Sequence, residues 1–515
     1  MNFDRRAFLK SAIGTAGAAA LSGPLFAAVA PTTLAADPRR PQFHLLPAAN
    51  WMNDPNGPLY WNGKYHMFYQ YNPNGAFWGD MHWAHAMSPD MVHWTHLPIA
   101  LSPTPGSADA QGCFSGTAQV RDGVVNVIYT GVVSAPADQA TIRDGTNSLR
   151  ESQCLATSSD PLLRTWTKRP APVIADPPPG LQVSGFRDPS PWGSGEEWYM
   201  VVGSGIPKQG GAILLYRSKD LVHWDYLHVL THGEMGPISA VNPVDSGDMW
   251  ECPDFFPLGN KHVLIYATEG KVLWESGEFD TRELVFHPEH CGVLDYGSFY
   301  AAKTQTDKSG NRILWGWIQE TRPLEEYRAS GWAGMMSLPR VLNLDKDGQV
   351  MVTVAAEVRA LRAKQQTLRI AKDENVTRGQ LDGMRLRDCC GEILCTVRKT
   401  EKPFELALAT PAMTGPGSGA PLRLRYDPAH PDSIELDGKA FAFPTSESEE
   451  LEMHFYVDGS VIEALIDKKI GYTKRFYYPG EHAPEIQVQI VGSMASLSSL
   501  TMWQITPISS NRLTV

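Results

Sequence analysis

The chain has 515 residues, a length that implies two or more domains, and its 43% hydrophobic and 10% aromatic content with 15 tryptophans excludes a disordered protein. The net charge of −11 is spread along the sequence, with no block of lysine or arginine able to follow a phosphate backbone, so nucleic acid is excluded as a partner.

The N-terminus differs from the rest. A short polar start through Arg5-Arg6 and Phe8-Leu9-Lys10 runs into an Ala/Gly/Leu stretch reaching Ala30, which predicts an export signal within a leader over 1–36. The arginine pair resembles the twin-arginine signal of bacteria. A permanent membrane anchor is the alternative, but so much Ala and Gly makes a weakly hydrophobic span. Ala28-Val29-Ala30 offers a small-x-small cleavage site and Leu34-Ala35-Ala36 a second. The expectation is a periplasmic or secreted protein with no membrane partner after signal removal.

A repeat follows. Short β-rich runs recur at Tyr65 to Gln70, Val125 to Gly131, Glu197 to Gly203, His262 to Thr268 and Arg312 to Trp317. Each is preceded by a tight-turn signal: Asn62-Gly63, Asp122-Gly123, Ser194-Gly195, Gly259-Asn260 and Ser309-Gly310. A looser third element, starting at Ser88, Ser158 and Ser218, carries Trp94, Trp166 and Trp224 and reads as an outer strand. No crossover helices separate the units, so a parallel α/β fold is excluded. The pattern predicts an all-β protein: a five-bladed β-propeller over 37–344. Beyond Leu344 shorter alternating strands predict a β-sandwich over 345–515, with one hairpin turning at Asp458-Gly459.

In a propeller the first strand of each blade lines the channel, so the segments before the five turns converge on one pocket. They contain Asp54, Asp188 and Glu251. Two carboxylates across a sugar are the minimum equipment for glycoside hydrolysis, and a third can stabilise developing positive charge. Taken singly, Asp54 and Asp188 before proline read equally well as turn-formers, and Glu251 as one half of a surface ion pair. Equivalent positions in three blades favour function.

Other features read as structural. The seven scattered cysteines lack metal-ligand spacing, with one bridge among Cys389, Cys390 and Cys395 left open. His82/His85 and His93/His96 have zinc-like spacing, but an i, i+3 pair on a strand faces opposite ways, so no metal is expected. Cys252 beside Glu251 reads as packing, since strand neighbours face apart.

The motifs WMNDPNGP at Trp51, FSGTA at Phe114, FRDPS at Phe186, WECPDFFP at Trp250, DYGSFYAAK at Asp295 and GWAGMMSLPR at Gly331 resemble glycoside hydrolase family 32, the invertases, inulinases and levanases. The resemblance spans all five repeats, and FYVDGSVIEALI with Arg475 looks like the family's sandwich. It implies Asp54 as nucleophile, Glu251 as acid/base and Asp188 as transition-state stabiliser. It further implies a retaining mechanism without cofactor and a carboxyl separation of about 5 to 5.5 Å. Burial of Glu251 beside Trp250 and close to Asp54 is expected to raise its pKa. Asn53, Gln70, Trp78, Ser115, Arg187 and Asp295 are the implied substrate-binding residues, with Trp51 and Trp78 suited to stacking on sugar.

The implied reaction is release of terminal β-fructosyl units from sucrose, inulin or levan. Fructosyl transfer from sucrose is the alternative within the same chemistry, and the unaltered WMNDPNG favours hydrolysis. A non-catalytic sugar-binding propeller would lack one of the three acids, and none is missing. Pro288 to Val293 departs from the acid-bearing segment that holds glucose in plant-like enzymes, so sucrose and fructans remain equal candidates.

Overall fold

The computed structural model describes residues 29–144, 147–233, 243–370, 378–399, 402–410, 421–443, 448–492 and 497–510. The twin-arginine segment therefore lies outside the described residues, and of the expected leader only 29–36 falls within them. There Pro31–Ala36 forms one short helix whose Leu34 is buried against Leu46, Trp332 and Val461. No helix among the described residues is long and apolar enough to cross a membrane.

The described chain is almost entirely β. Five antiparallel sheets follow one another, and each begins with a strand that we label β1 (Asn50–Trp61), β2 (Cys113–Arg121), β3 (Phe186–Ser194), β4 (Glu251–Leu258) and β5 (Phe299–Thr306). The five predicted runs all form the second strand of their sheets. The turns explain the tight connection. Asn62-Gly63 and Asp122-Gly123 take φ of 47° and 77° and of 52° and 74°, the left-handed pair a two-residue hairpin needs to match strand twist.

The third element also has a local cause. Ser88 and Ser218 end third strands, and the carboxylates of Asp90 and Asp220 two residues on accept backbone N–H groups of the following turn. That side-chain turn swings the chain into an outer strand at Thr95–Leu101 and Trp224–His232.

Each first strand packs against the first strand of the next sheet, and β5 returns to β1, so the five close into a ring. The closure is reinforced where Trp332 and Ala333 pair in parallel with Asn50 and Trp51 of β1. The fifth sheet runs past the expected boundary at 344, because Arg340–Leu344 pairs with Val350–Val354. Asp345 to Gly348 forms the hairpin between them.

The remaining strands form two layers sharing one core of Leu406, Leu424, Phe455, Ile462 and Leu500. One layer contains β6 (Val461–Ile466) and β7 (Ile470–Arg475), and it joins the fourth sheet through a single parallel pair, Asp295 with Gly471. The hairpin expected at Asp458-Gly459 turns one residue later, since Asp458 still pairs with Val461. None of the seven cysteines is in a disulfide, so the bridge left open among Cys389, Cys390 and Cys395 is not formed.

Candidate active site

All five first strands carry a β-bulge near the same level. Pairing with the second strand is interrupted between Met52 and Pro55, Cys113 and Gly116, Arg187 and Ser190, Glu251 and Asp254, and Tyr300 and Lys303. At a bulge two residues oppose one, so normal alternation fails and successive side chains can turn to the same side. Asp188, Cys252 and Ala301 take the left-handed φ of 62°, 49° and 52° at corresponding positions. Aligned on the bulge, the three acids are offset by one step each. Glu251 precedes the unpaired residues, Asp188 is the first of them in its strand, and Asp54 is the second. They are thus not strictly equivalent, and the offset lets three carboxylates from three sheets point at one place.

The contacts show that convergence. Asp54 is 1% exposed, and its carboxylate accepts from Ser115 Oγ at 2.8 Å and Asn53 Nδ2 at 2.9 Å. Asp188 Oδ2 accepts the backbone N–H of Cys252 at 2.8 Å. The Cys252 thiol lies 3.7 Å from Asp54 Oδ2 and 3.5 Å from Asp188 Oδ2, so it sits between the two acids. Cys252 is fully buried in a hydrophobic cluster, in line with the packing reading, and the bulge turns its thiol inward beside Glu251, where a regular strand would have turned it away.

Glu251 is held on both oxygens. Arg187 donates to Oε1 from Nη2 at 2.8 Å and from Nε at 3.2 Å, while the Tyr300 hydroxyl donates to Oε2 at 2.6 Å. Arg187 also donates from Nη1 to Glu151 Oε1 at 2.9 Å, and Glu151 Oε2 accepts from Thr141 and the Phe186 backbone. Burial disfavours the Arg187 charge, but Glu151, Glu251 and Asp188 outweigh it and raise its pKa. Burial pushes the Asp188 carboxyl up to about 6, with Glu251 and Asp54 adding to the rise and Arg187 opposing it. Trp250, expected to shield Glu251, stacks flat on Tyr266 at 3.8 Å and donates to Ser246.

Of the expected binding residues, Gln70, Trp78, Ser115 and Arg187 line one cavity with Phe114, Ile142, Asp188 and Glu251. Gln70 stands opposite the β1 bulge and donates to the Cys113 carbonyl at 2.9 Å. Trp78 is part-exposed and meets Phe114 edge-on, so it can still offer a ring to sugar. Asn53 is buried, donating to Asp54 and accepting from Trp51 Nε1 at 2.6 Å, which makes it a positioning residue.

Two expectations fail. Trp51 is 0% exposed, wedged against Trp317 and Tyr327, and no sugar face can reach it. Asp295 is also 0% exposed and lies at the junction with β7, where its carboxylate accepts from Arg340, Gly297 and both the N–H and hydroxyl of Thr473. Its oxygens are consumed by the junction.

Sequence reasoning missed Tyr300 and Glu151. Tyr300 occupies the same bulge position as Glu251 in the next sheet, a signal that becomes visible once the register is known. Glu151 lies on a second-sheet strand with no motif to mark it. His85 bonds His66 at 2.9 Å in the core, and no group of three metal-ligating side chains occurs among the described residues.

Known proteins resemble the chain in sequence and in fold. The sequence profile of the glycosyl hydrolases family 32 N-terminal domain matches residues 44–354. A sucrose-6-phosphate hydrolase of Escherichia coli is 33% identical over 491 residues, covering 90% of this chain and 94% of the relative. An insoluble β-fructofuranosidase isoenzyme of Arabidopsis thaliana is 35% identical, covering 71% of this chain and 65% of its own. Among solved structures, fructan 1-exohydrolase IIa of Cichorium intybus with 1-kestose superposes at a TM-score of 0.73 and 27% identity, covering 91% of this chain and 98% of that one. A β-fructofuranosidase mutant of Bombyx mori bound to sucrose gives 0.72 and 26%, with 93% and 96% covered. With the profile covering more than half of its length and a relative aligned almost end to end, the chain belongs to glycoside hydrolase family 32.

Proposed function

We propose that this protein releases terminal β-D-fructofuranosyl units from sucrose and fructans by a retaining mechanism. The observation that carries the reading is the placement of Asp54 and Asp188 on either side of the Cys252 thiol, with Glu251 at the preceding residue of the same bulge. In the first half-reaction an Asp54 oxygen attacks the anomeric carbon of fructose while Glu251 gives its proton to the departing glycosidic oxygen. In the second, Glu251 takes a proton from water, whose oxygen displaces Asp54 and regenerates both acids. Asp188 binds fructose hydroxyls and favours the positive charge developing on the ring. Arg187 and Tyr300 fix the Glu251 carboxyl. The two carboxylates suffice for both steps, so no cofactor is invoked.

Names of the relatives support the substrate class: a sucrose-6-phosphate hydrolase and an invertase each align with 90% of this chain, and a fructan exohydrolase superposes on it. The departing segment at Pro288 to Val293 lies on an outer strand, where Glu289 pairs with Lys261 at 2.7 Å. It therefore gives no ground for preferring sucrose over fructans. We read the five sheets as the blades of a propeller, the two C-terminal layers as a sandwich and the first 36 residues as an export leader. Chromatography of products from sucrose, inulin and levan tests the activity. Fructose as the sole small product from the polymers is expected, and kestose-type oligomers from sucrose would show transfer instead.

A further inference from the structure

The segment DYGSFYAAK, which starts at Asp295, ends on Lys303, a residue that takes no part in either half-reaction. Lys303 is 0% exposed and lies on β5, where pairing with the second strand resumes after the bulge. The corresponding residues of β1 to β4 are Pro55, Gly116, Ser190 and Asp254. Lys303 is the cation of this level and Asp254 its anion, yet the two do not pair. Asp254 accepts from Ser190 Oγ at 3.1 Å and from the N–H and hydroxyl of Thr304, each at 2.7 Å. The Lys303 ammonium donates to the Pro253 carbonyl at 2.7 Å and makes no ion pair among the described residues. Pro253 is the second unpaired residue of the β4 bulge and follows Cys252, whose backbone N–H donates to Asp188. The ammonium therefore sits against the bulge that carries Glu251 and holds Asp188.

A buried ammonium bound by one carbonyl is costly unless opposite charge lies within range of its field. That charge is present at the end of the channel that holds the acids, the carboxylate mouth, where Asp54, Asp188, Glu251 and Glu151 are all buried. Arg187, the cation in contact with them, is divided among Glu151 at 2.9 Å, Glu251 at 2.8 Å and Asp188 at 4.0 Å. One guanidinium among these acids leaves negative charge in excess, in a place where low dielectric carries a field further than water does. The field of Lys303 reaches Asp188, where it opposes the rise that burial, Glu251 and Asp54 impose on that carboxyl.

We propose that Lys303 is a positioning residue of the active site, a buried cation that keeps Asp188 ionised to face the charge developing on fructose and seats the β4 bulge that bears Glu251. The groups facing Asp188 are Arg187 on its own strand, Asp54 from β1, Glu251 and Cys252 from β4, and Lys303 from β5. Arg187 is held by its other acids, so Lys303 supplies positive charge that no further carboxylate in contact takes up. An uncharged donor would serve the Pro253 carbonyl equally well; the ammonium is required only if its charge is used. The inference rests on the proposed mechanism for the use made of Asp188, but the placement of the charge stands apart from it.

Two substitutions separate the charge from the hydrogen bond. Lys303→Gln keeps a donor for the Pro253 carbonyl and removes the charge, whereas Lys303→Met removes both. In each, the acid limb of kcat/KM for sucrose is expected to move up by about one pH unit, a loss of about tenfold on the acid side. Melting temperature against pH reads the same charge without catalysis. The folded Asp188 carboxyl titrates above its ordinary range, so stability falls as pH rises through that folded value. Without Lys303 this decline should extend about one unit further up, and it should vanish in Lys303→Gln/Asp188→Asn. An unmoved acid limb and melting profile in Lys303→Gln, whatever the loss in Lys303→Met, would leave Lys303 the carbonyl bond alone and overturn the proposal. Failure of both variants to fold would do the same. A melting profile displaced as expected in a protein that releases no fructose from any fructoside would keep the buried cation and overturn the proposed function instead.

Discussion

Among the buried charge clusters of the described residues, one lies at the carboxylate mouth and another at the junction with the C-terminal layers, and these two are built on different rules. At the junction every acid is matched. Asp458 accepts from the backbone of Gln42, Phe43 and His44 and from the His44 ring. Glu463 accepts from His44, the Leu338 backbone and Arg340, and Arg340 also reaches Asp295 at 2.9 Å. Burial alone would lower the His44 pKa, but the two carboxylates outweigh it and hold it at about 9. Burial likewise works against ionised Glu463, yet Arg340 and His44 keep it at about 2. At the mouth, Asp54 is held by the neutral donors Ser115 and Asn53, and Asp188 stands at about 6. The junction spends its charges on holding segments together, whereas the mouth keeps carboxylates facing a cavity at some cost in stability. A buried acid is therefore informative about function only after its partners are counted.

The comparison can be broken by substitution. The largest effect should come from the mouth: Asp54→Asn or Glu251→Gln should lower kcat on sucrose by at least about 10⁴-fold without lowering the melting temperature. Near-normal rates in either variant would remove the proposed mechanism. Next, Arg340→Met strands Glu463 and Asp295 and should destabilise the fold by about 3–5 kcal/mol, measured by denaturant unfolding, while molecules that remain folded keep their kcat.

Acid–base linkage sharpens the contrast further. Asp188 has a folded pKa above the ordinary carboxylate value, so its contribution to stability is fully present below about pH 4 and is lost as pH rises through about 6. His44 is raised as well, from the imidazole range, so its contribution persists at neutral pH and is lost as pH climbs through about 9. Melting temperatures followed against pH should show two separate declines. Asp188→Asn should flatten the acidic one, worth roughly 2–3 kcal/mol, and leave the alkaline one in place. The smallest effect is expected from Tyr300→Phe, which removes one hydrogen bond to Glu251 and should reduce kcat about tenfold and displace the pH–rate profile. An unchanged profile would mean that Tyr300 only packs.

Much of this was legible in the sequence, for reasons that differ by region. The runs Tyr65 to Gln70 and Val125 to Gly131 are apolar, short and bounded by turn pairs, so local chemistry alone places them in strands. The three acids were found because they precede those turns. What could not be read was the bulge, since two-to-one pairing depends on a partner strand and leaves no fixed local signature. That is why neither the inward turn of the Cys252 thiol nor the place of Tyr300 is legible in the sequence. Asp295 is misplaced for a related reason: its motif marks a junction, and the carboxylate's partners Arg340 and Thr473 lie far along the chain. The extent of the fifth sheet was likewise hidden, because Asp345 to Gly348 has the composition of a linker and the geometry of a hairpin.

The most direct test is to trap the covalent intermediate. β-Fructosyl fluoride needs no proton for its leaving group, so the Glu251→Gln protein should react in the first half-reaction and stall in the second. Acid quenching followed by peptide mass spectrometry should find one fructosyl unit attached at Asp54. An adduct on any other residue, or free fructose released with no adduct at any time, would contradict the account.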